Sequence, residues 1–359
     1  MPTKKPVRPD IGVWGQVRIE PGQAAETQIT ISESYSGMVL EVPVYVRRAP
    51  KPGPTVFVTG AVHGDEINGT GAIRNLIANP GFELATGALI LIPVVNLIGF
   101  ERHSRYLPDR RDLNRSFPGS TTGSLAGRQA RAIMDAVVAR SDFGIDLHTA
   151  AVRRTNFPNV RADTSDRRLS AFARAFGAEL IVNSKGPRGS LRVAAMRRGC
   201  RTLVLEAGEV WKVEPTVVEY TLRGVRNCLV HLGMVEGDVE KPPYQMETDA
   251  TKWIRARHGG FLRFHVAPGD IVERGDPIAT NTTLFGEERS IISSPRGGVV
   301  LGMTTIPSVA PGDPICHLAF PKRGGLRRVE RAQQNLPDES LYERTRDDLA
   351  SGMLVRDAD

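Results

Sequence analysis

Cysteine is nearly absent from this chain: Cys200, Cys228 and Cys316 are the three in 359 residues, far apart and without a CxxC pair. This spacing suggests neither a disulfide framework nor a cysteine zinc site. A reducing compartment is the simplest setting, so the expected location is the cytoplasm. No run reaches the roughly 18 apolar residues that a membrane span needs. The start, Met1–Pro9, is basic, but no apolar stretch follows, so it does not read as a secretory signal. Aromatic residues make up only 6% of the chain. The net charge is +7, yet the basic residues are dispersed and no nucleic-acid module appears. Nucleic acid is therefore not an expected partner. The basic excess partly collects at Arg153-Arg154 and in a tail with Lys322, Arg323, Arg327, Arg328 and Arg331. An electrostatic preference for acidic substrates is the better reading of it.

What remains is ordinary for a globular enzyme: 40% hydrophobic and 24% charged residues. The length suits two domains and a large core. Residues 1–50 form a loose lead and then a β segment, with strand alternation as in Met38–Val46, joined to the domain that follows. Residues 51–240 alternate strand and helix. Apolar spacing predicts helices over 66–78, 124–140, 165–176 and 214–232, and a strand over Ala88–Val95. Such alternation means an α/β layered domain with a mixed, largely parallel sheet. Residues 250–320 turn all-β, with one phrase repeated at Val266–Ile271 and Val309–Pro314 around Ile291–Val300. Strand, PGD turn, strand, SPxGG and strand resemble the barrel-sandwich module of biotinyl and lipoyl carriers. Those carriers hold their cofactor on a hairpin lysine, and Thr280–Arg289 contains none. The module is therefore read as structural or substrate-gating. Its histidines His258, His265 and His317 are read as ordinary surface or core residues, as are His103 and His231. Residues 321–359 are charged and poorly periodic, expected to be peripheral or partly disordered.

The chemistry is concentrated in 55–210. The apolar run Thr55–Thr59 leads into Gly60-Ala-Val-His63-Gly-Asp-Glu66. An imidazole and a carboxylate at this spacing, at the exit of a strand, can share one zinc ion. A second apolar run, Phe143–Leu147, ends in His148, a third candidate ligand. Asp146 lies two residues earlier, on the same side of the strand, where it can orient a ligand. A third strand, Arg201–Leu205, delivers Glu206, poorly placed for solvation and suited to proton transfer near a metal. Between them, Arg105 to Gly119 is rich in charge and proline and carries Asp112-Leu-Asn114-Arg115. Arginine suits two-pronged capture of a carboxylate, and asparagine adds a directional donor.

Taken in order, these motifs resemble the succinylglutamate desuccinylase/aspartoacylase family, a branch of the zinc metallocarboxypeptidase-like hydrolases. The resemblance implies the zinc-carboxypeptidase-like three-layer α/β fold, with the small β module appended, and one zinc ion per chain. It makes His63, Glu66 and His148 the metal ligands and Glu206 the general base and acid. Arg105 polarises the scissile carbonyl and stabilises its oxyanion. Asn114 and Arg115 hold the substrate carboxylate, and Arg192, in Ser190–Ala194, corresponds to a further carboxylate-binding arginine. No tyrosine is placed where aspartoacylases contribute one from their C-terminal domain, which points away from a strict aspartoacylase.

The expected function is a zinc-dependent hydrolase of amide bonds other than ordinary peptide bonds, acting on an N-acyl amino acid or similar small amide. The expected partner is a small molecule or short peptide bearing a carboxylate, and a homo-oligomer stays open. One rival reading is a metallocarboxypeptidase on short or acidic C-terminal peptides, which uses the same residues. Another is a non-catalytic metal-binding protein of this fold, against which the complete set of ligands, base and arginine argues.

Overall fold

The structure is a computed structural model that describes residues 8–33, 37, 39–321, 325–337, 339–351 and 353. Most of the basic lead, residues 1–7, lies outside the described residues, as do the tail cations Lys322 and Arg323.

Four apolar segments become parallel neighbours in the order Thr86–Ile92, Lys51–Thr59, Phe143–His148 and Arg201–Glu209. Their apolar stretches are buried almost without a break, as strands covered on both faces must be. Successive side chains point to opposite faces. Val56 and Val58 accordingly join one core cluster, and Phe57 between them joins another. Helices Asn68–Ala78, Arg167–Ala175 and Pro215–His231 close the first cluster. Helices Leu125–Ala136 and Leu191–Arg197 close the second. The outcome is a helix–sheet–helix layering.

The helices begin where the sequence supplies a cap. Ser124 Oγ accepts from the Gly127 N–H at 3.2 Å, and Asp166 Oδ1 from the Leu169 N–H at 2.9 Å. Pro215 opens the longest helix, at a position where its missing N–H costs nothing. Several expected boundaries move, and the strand expected over Ala88–Val95 is Thr86–Ile92. The helix expected over 66–78 starts at Asn68, leaving His63 and Glu66 in a loop. The one expected over 124–140 ends at Ala136 and continues as a 3₁₀ turn, Val138–Arg140.

Beyond Arg201–Glu209 the sheet turns antiparallel. Arg154–Ala162, Gly298–Thr304, Pro314–Phe320 and Ala250–Arg255 follow in that order. Part of the C-terminal β region thus continues the central sheet. The rest forms a four-stranded sheet that shares a core with it through Leu262, Phe264, Ile278, Met303 and Leu318. At the opposite edge, Val39–Arg48 and Ala24–Glu33 add antiparallel strands.

The tail corrects its expectation. Gly325–Gln333 and Leu341–Ala350 are helices, and Val329, Tyr342 and Leu349 are buried in the first core cluster. The Tyr342 hydroxyl donates to the Gly269 carbonyl at 3.0 Å. Few apolar anchors among many exposed charges hide this periodicity in the sequence. Among the described residues no helix is long and apolar enough to cross a membrane.

Candidate active site

The site lies past the C-terminal ends of the parallel strands, where open α/β sheets place their ligands. Thr59 pairs with Asp146 across adjacent strands, and His148 with Glu206. The loop after Thr59 brings His63 and Glu66 to the same place. Gly64 lets it do so: a Cβ there would stand 2.0 Å from the Gly99 carbonyl carbon.

Three ligand atoms, one each from His63, Glu66 and His148, lie within 4.8 Å of one another, and all three residues are buried. Glu66 faces both rings, with Oε1 2.7 Å from His63 Nδ1 and Oε2 2.7 Å from His148 Nδ1. The far nitrogen of each ring also meets a carboxylate. His63 Nε2 is 3.1 Å from Asp112 Oδ1, and His148 Nε2 is 2.9 Å from Asp146 Oδ2. Asp146 in turn accepts from the Thr59 hydroxyl at 2.8 Å. A carboxylate behind an imidazole fixes the tautomer and turns the other nitrogen toward the centre, as in metal-binding histidines.

Burial opposes charge on both rings, but the surrounding carboxylates outweigh it. Glu66 and Asp112 raise His63, and Asp146 and Glu66 raise His148 well above the usual imidazole range. Burial also works against the Glu66 carboxylate, yet the two imidazoles hold it far below its ordinary range. The attraction that draws protons onto these rings draws any cation to the gap between them. Two nitrogens and one carboxylate, with room for a water, are the donor set of a catalytic zinc. The residues present fit such an ion.

Arg105 reaches Glu66 Oε1 at 3.0 Å and Asp112 Oδ2 at 3.1 Å. Asp112 also accepts from the Asn114 N–H at 2.8 Å. Partial burial disfavours its charge, but His63 and Arg105 outweigh that and keep it well below the usual carboxylate range. Asn114 is buried. Its Oδ1 accepts from the Leu191 N–H at 2.9 Å, and its amide nitrogen lies 3.4 Å from His148 Nε2. Arg115 is exposed, with Nη1 donating to the Asn114 carbonyl at 2.7 Å.

Glu206 sits beside a bulge, where the register against Arg154–Ala162 shifts between Glu206 and Gly208. Bulges re-aim side chains next to active sites. Asn156 Nδ2 donates to Glu206 Oε2 at 3.1 Å, and Arg161 Nη1 lies 3.6 Å from Oε1. The strand behind Asn156 must carry a glycine: a Cβ on Gly302 would stand 2.5 Å from Asn156 Oδ1 and 2.6 Å from the Thr155 carbonyl oxygen. Arg192 is buried; Nη2 donates to Ser184 Oγ at 3.2 Å, while Nη1 has no partner. Burial, reinforced by nearby Arg161, lowers its pKa to about 10.

These groups surround a cavity of about 270 Å³. Every expected site residue lines it except Asp146, which stands behind His148. The sequence reading missed the support role of Asp112 and much of the far wall: Arg154, Asn156, Arg161, Trp253 and His317. Trp253 and His317 are stacked at 4.5 Å with 8° between their planes. The Arg154 guanidinium carbon lies 5.0 Å from the Trp253 ring centre. His317 is buried, as a core histidine is, but it also faces the cavity. Burial, then Arg161 and Arg154, lower its pKa to about 4, so the ring is neutral at neutral pH. No tyrosine lines the cavity among the described residues.

Comparison with known proteins decides the family. Residues 52–232 match the model of the succinylglutamate desuccinylase/aspartoacylase catalytic domain. The chain belongs to the succinylglutamate desuccinylase/aspartoacylase family. It is similar, at 32% identity over 305 residues, to the N-alpha-acetyl-L-2,4-diaminobutyric acid deacetylase of Halomonas elongata, covering 81% of this chain and 89% of that protein. A solved succinylglutamate desuccinylase/aspartoacylase from Rhodobacter sphaeroides is 27% identical, with a TM-score of 0.71 over 84% of this chain and 96% of that one. The product-bound ectoine utilization protein EutE (DoeB) from Ruegeria pomeroyi shares the fold, with a TM-score of 0.73 at 22% identity, over 85% and 97% of the two chains. The family is one of amide-cleaving deacylases.

Proposed function

We propose that this family member is a zinc-dependent deacylase that hydrolyses an N-acyl amino acid or a similar small amide bearing a carboxylate. The observation that carries the proposal is the convergence of His63 Nδ1, His148 Nδ1 and the Glu66 carboxylate, each imidazole backed by its own carboxylate, at one end of a cavity lined by arginines and Glu206. The named activity of the Halomonas elongata relative, on an N-acetylated amino acid, supports the substrate class.

In this reading His63, Glu66 and His148 hold one zinc ion per chain. The ion supplies Lewis acidity, polarising the scissile carbonyl and easing the loss of a proton from water. Glu206 takes that proton and returns it to the departing amine nitrogen. Asn156 and Arg161 keep its carboxylate in place while it does so. Arg105 donates to the carbonyl oxygen as negative charge develops there, in a partly buried setting where a fixed donor counts for most. Asn114 and Arg115 hold the substrate carboxylate, and Arg192 adds a further cation to the cavity wall. One amide and one water yield a carboxylic acid and an amine. Residues 51–240 carry the chemistry, and residues 250–320 close the far side with Trp253 and His317.

The test is a screen of purified, zinc-loaded protein against N-acyl amino acids and short acidic peptides, with the released amine quantified. Hydrolysis of the N-acyl amino acids is expected. Activity on peptides alone would make the chain a carboxypeptidase, and no hydrolysis of either by metal-loaded protein would leave a binding protein.

A further inference from the structure

Trp253 lines two separate spaces. One is the catalytic cavity of about 270 Å³, and the other is a groove of about 580 Å³ on the C-terminal strands. Among the described residues Trp253 alone lines both. The groove is basic, with Lys252, Arg255, Arg257 and His258 set among the apolar Ile254, Ile291 and Ile292. The indole is held on the ring of His317, its direct neighbour on the next strand, with Arg154 packed against it. Stacking and cation–π contact together make it a firm wall rather than a loose flap.

The order of strands sets which side of Glu206 this wall lies on. His148 pairs with Glu206, and the Glu206 strand pairs with that of Asn156. Asn156 pairs with Gly302, Gly302 with His317, and His317 with Trp253. Asn114 stands at the His148 end of this row. The carboxylate grip and Trp253 therefore lie on opposite sides of Glu206. In an N-acyl amino acid the carboxylate and the acyl chain likewise lie on opposite sides of the amide. A substrate anchored at Asn114 and Arg115, with its amide at Glu206, sends its acyl group toward Trp253.

We propose that Trp253 sets the acyl-length limit of this enzyme, an inference that rests on the deacylase reading above. Short acyl groups end against the indole. Longer ones, and peptides whose preceding residues take the acyl side, need the groove behind it. Because the groove is basic, an acyl chain ending in a carboxylate gains more from its opening than an apolar chain of equal length.

The experiment compares the wild type with Trp253→Ala and Trp253→Phe. The substrates are acetyl, butanoyl, hexanoyl and glutaryl derivatives of whichever amino acid the wild type deacetylates best. Zinc content and thermal unfolding are recorded for each protein. The wild type should favour acetyl. Trp253→Ala should raise the ratio of kcat/KM for hexanoyl over acetyl by at least about tenfold, the scale on which a pocket discriminates a methylene or more. The glutaryl ratio should rise further, and Trp253→Phe should move both ratios the same way by less. If Trp253→Ala does not fold, Trp253→Phe decides by the same shift. Unchanged ratios in an active, zinc-loaded variant overturn the length limit alone. A zinc-loaded wild type inert toward every N-acyl amino acid instead overturns the deacylase reading.

Discussion

At the His148 end of the cavity, Glu66, Asp112 and Asp146 each meet an imidazole, and Arg105 meets two of those carboxylates. At the Trp253 end the cations stand differently. Arg154 has no ion-pair partner among the described residues, and His317 is held neutral. The first end is complete once a cation fills it. The second is complete only when a substrate brings polar or anionic groups to it. Catalytic groups need fixed geometry before the reaction begins, so their partners are built in. Groups that read a substrate keep donors unused, because those donors are what the substrate answers.

The sharpest way to break this contrast is at the first end. His63→Ala or His148→Ala should strip the metal, against about one zinc per chain in the wild type. Elemental analysis decides, and full retention in both variants would remove the basis of the metal site. Glu206→Gln comes next. It should keep metal and fold while turnover falls at least about a hundredfold, the scale for a lost general base. Loss of metal in that variant would make Glu206 a ligand instead.

Arg115→Lys tests whether a group beside the first end also reads the substrate. A point charge cannot reproduce a two-pronged contact, so binding should weaken by about 1.5–3 kcal/mol. Replacing the substrate carboxylate by a neutral amide should then cripple the wild type and cost the variant much less. Equal losses would show that the two groups do not meet. Asp112→Asn leaves the three ligands in place but unsettles the His63 ring, and should weaken zinc affinity by roughly tenfold. A zinc titration against a competing chelator measures it, and unchanged affinity would reduce Asp112 to a loop cap. The smallest expected effect is that of Gly302→Ala. It should displace Asn156 and lower kcat modestly, with KM and zinc content unchanged. A change in KM instead would place the damage in the substrate wall.

The same contrast explains what could be read in the sequence. His63 and Glu66 are legible because one short segment after a strand carries both. His148 and Glu206 each close an apolar strand, and Asp146 follows from the two-residue period of its strand. Ser124 and the apolar spacing of the 125–136 and 215–231 helices are equally local signals. Asp112 behind His63 is not local: 49 positions separate them, and only the folded loop joins them. Trp253, His317 and Arg154 meet because strands from distant parts of the chain pair in one register, past a glycine chosen for close approach. No period in the sequence encodes that pairing. The tail helices were obscured for another reason, since Val329, Tyr342 and Leu349 are sparse anchors among many charges.

The most direct test of the whole account is to strip the protein of metal with a chelator and return zinc stepwise, following hydrolysis of an N-acetyl amino acid. Activity should be absent from the stripped protein and rise to a plateau at about one zinc per chain. Full activity in protein shown by elemental analysis to be metal-free, or none at that plateau with any N-acyl amino acid, would contradict it.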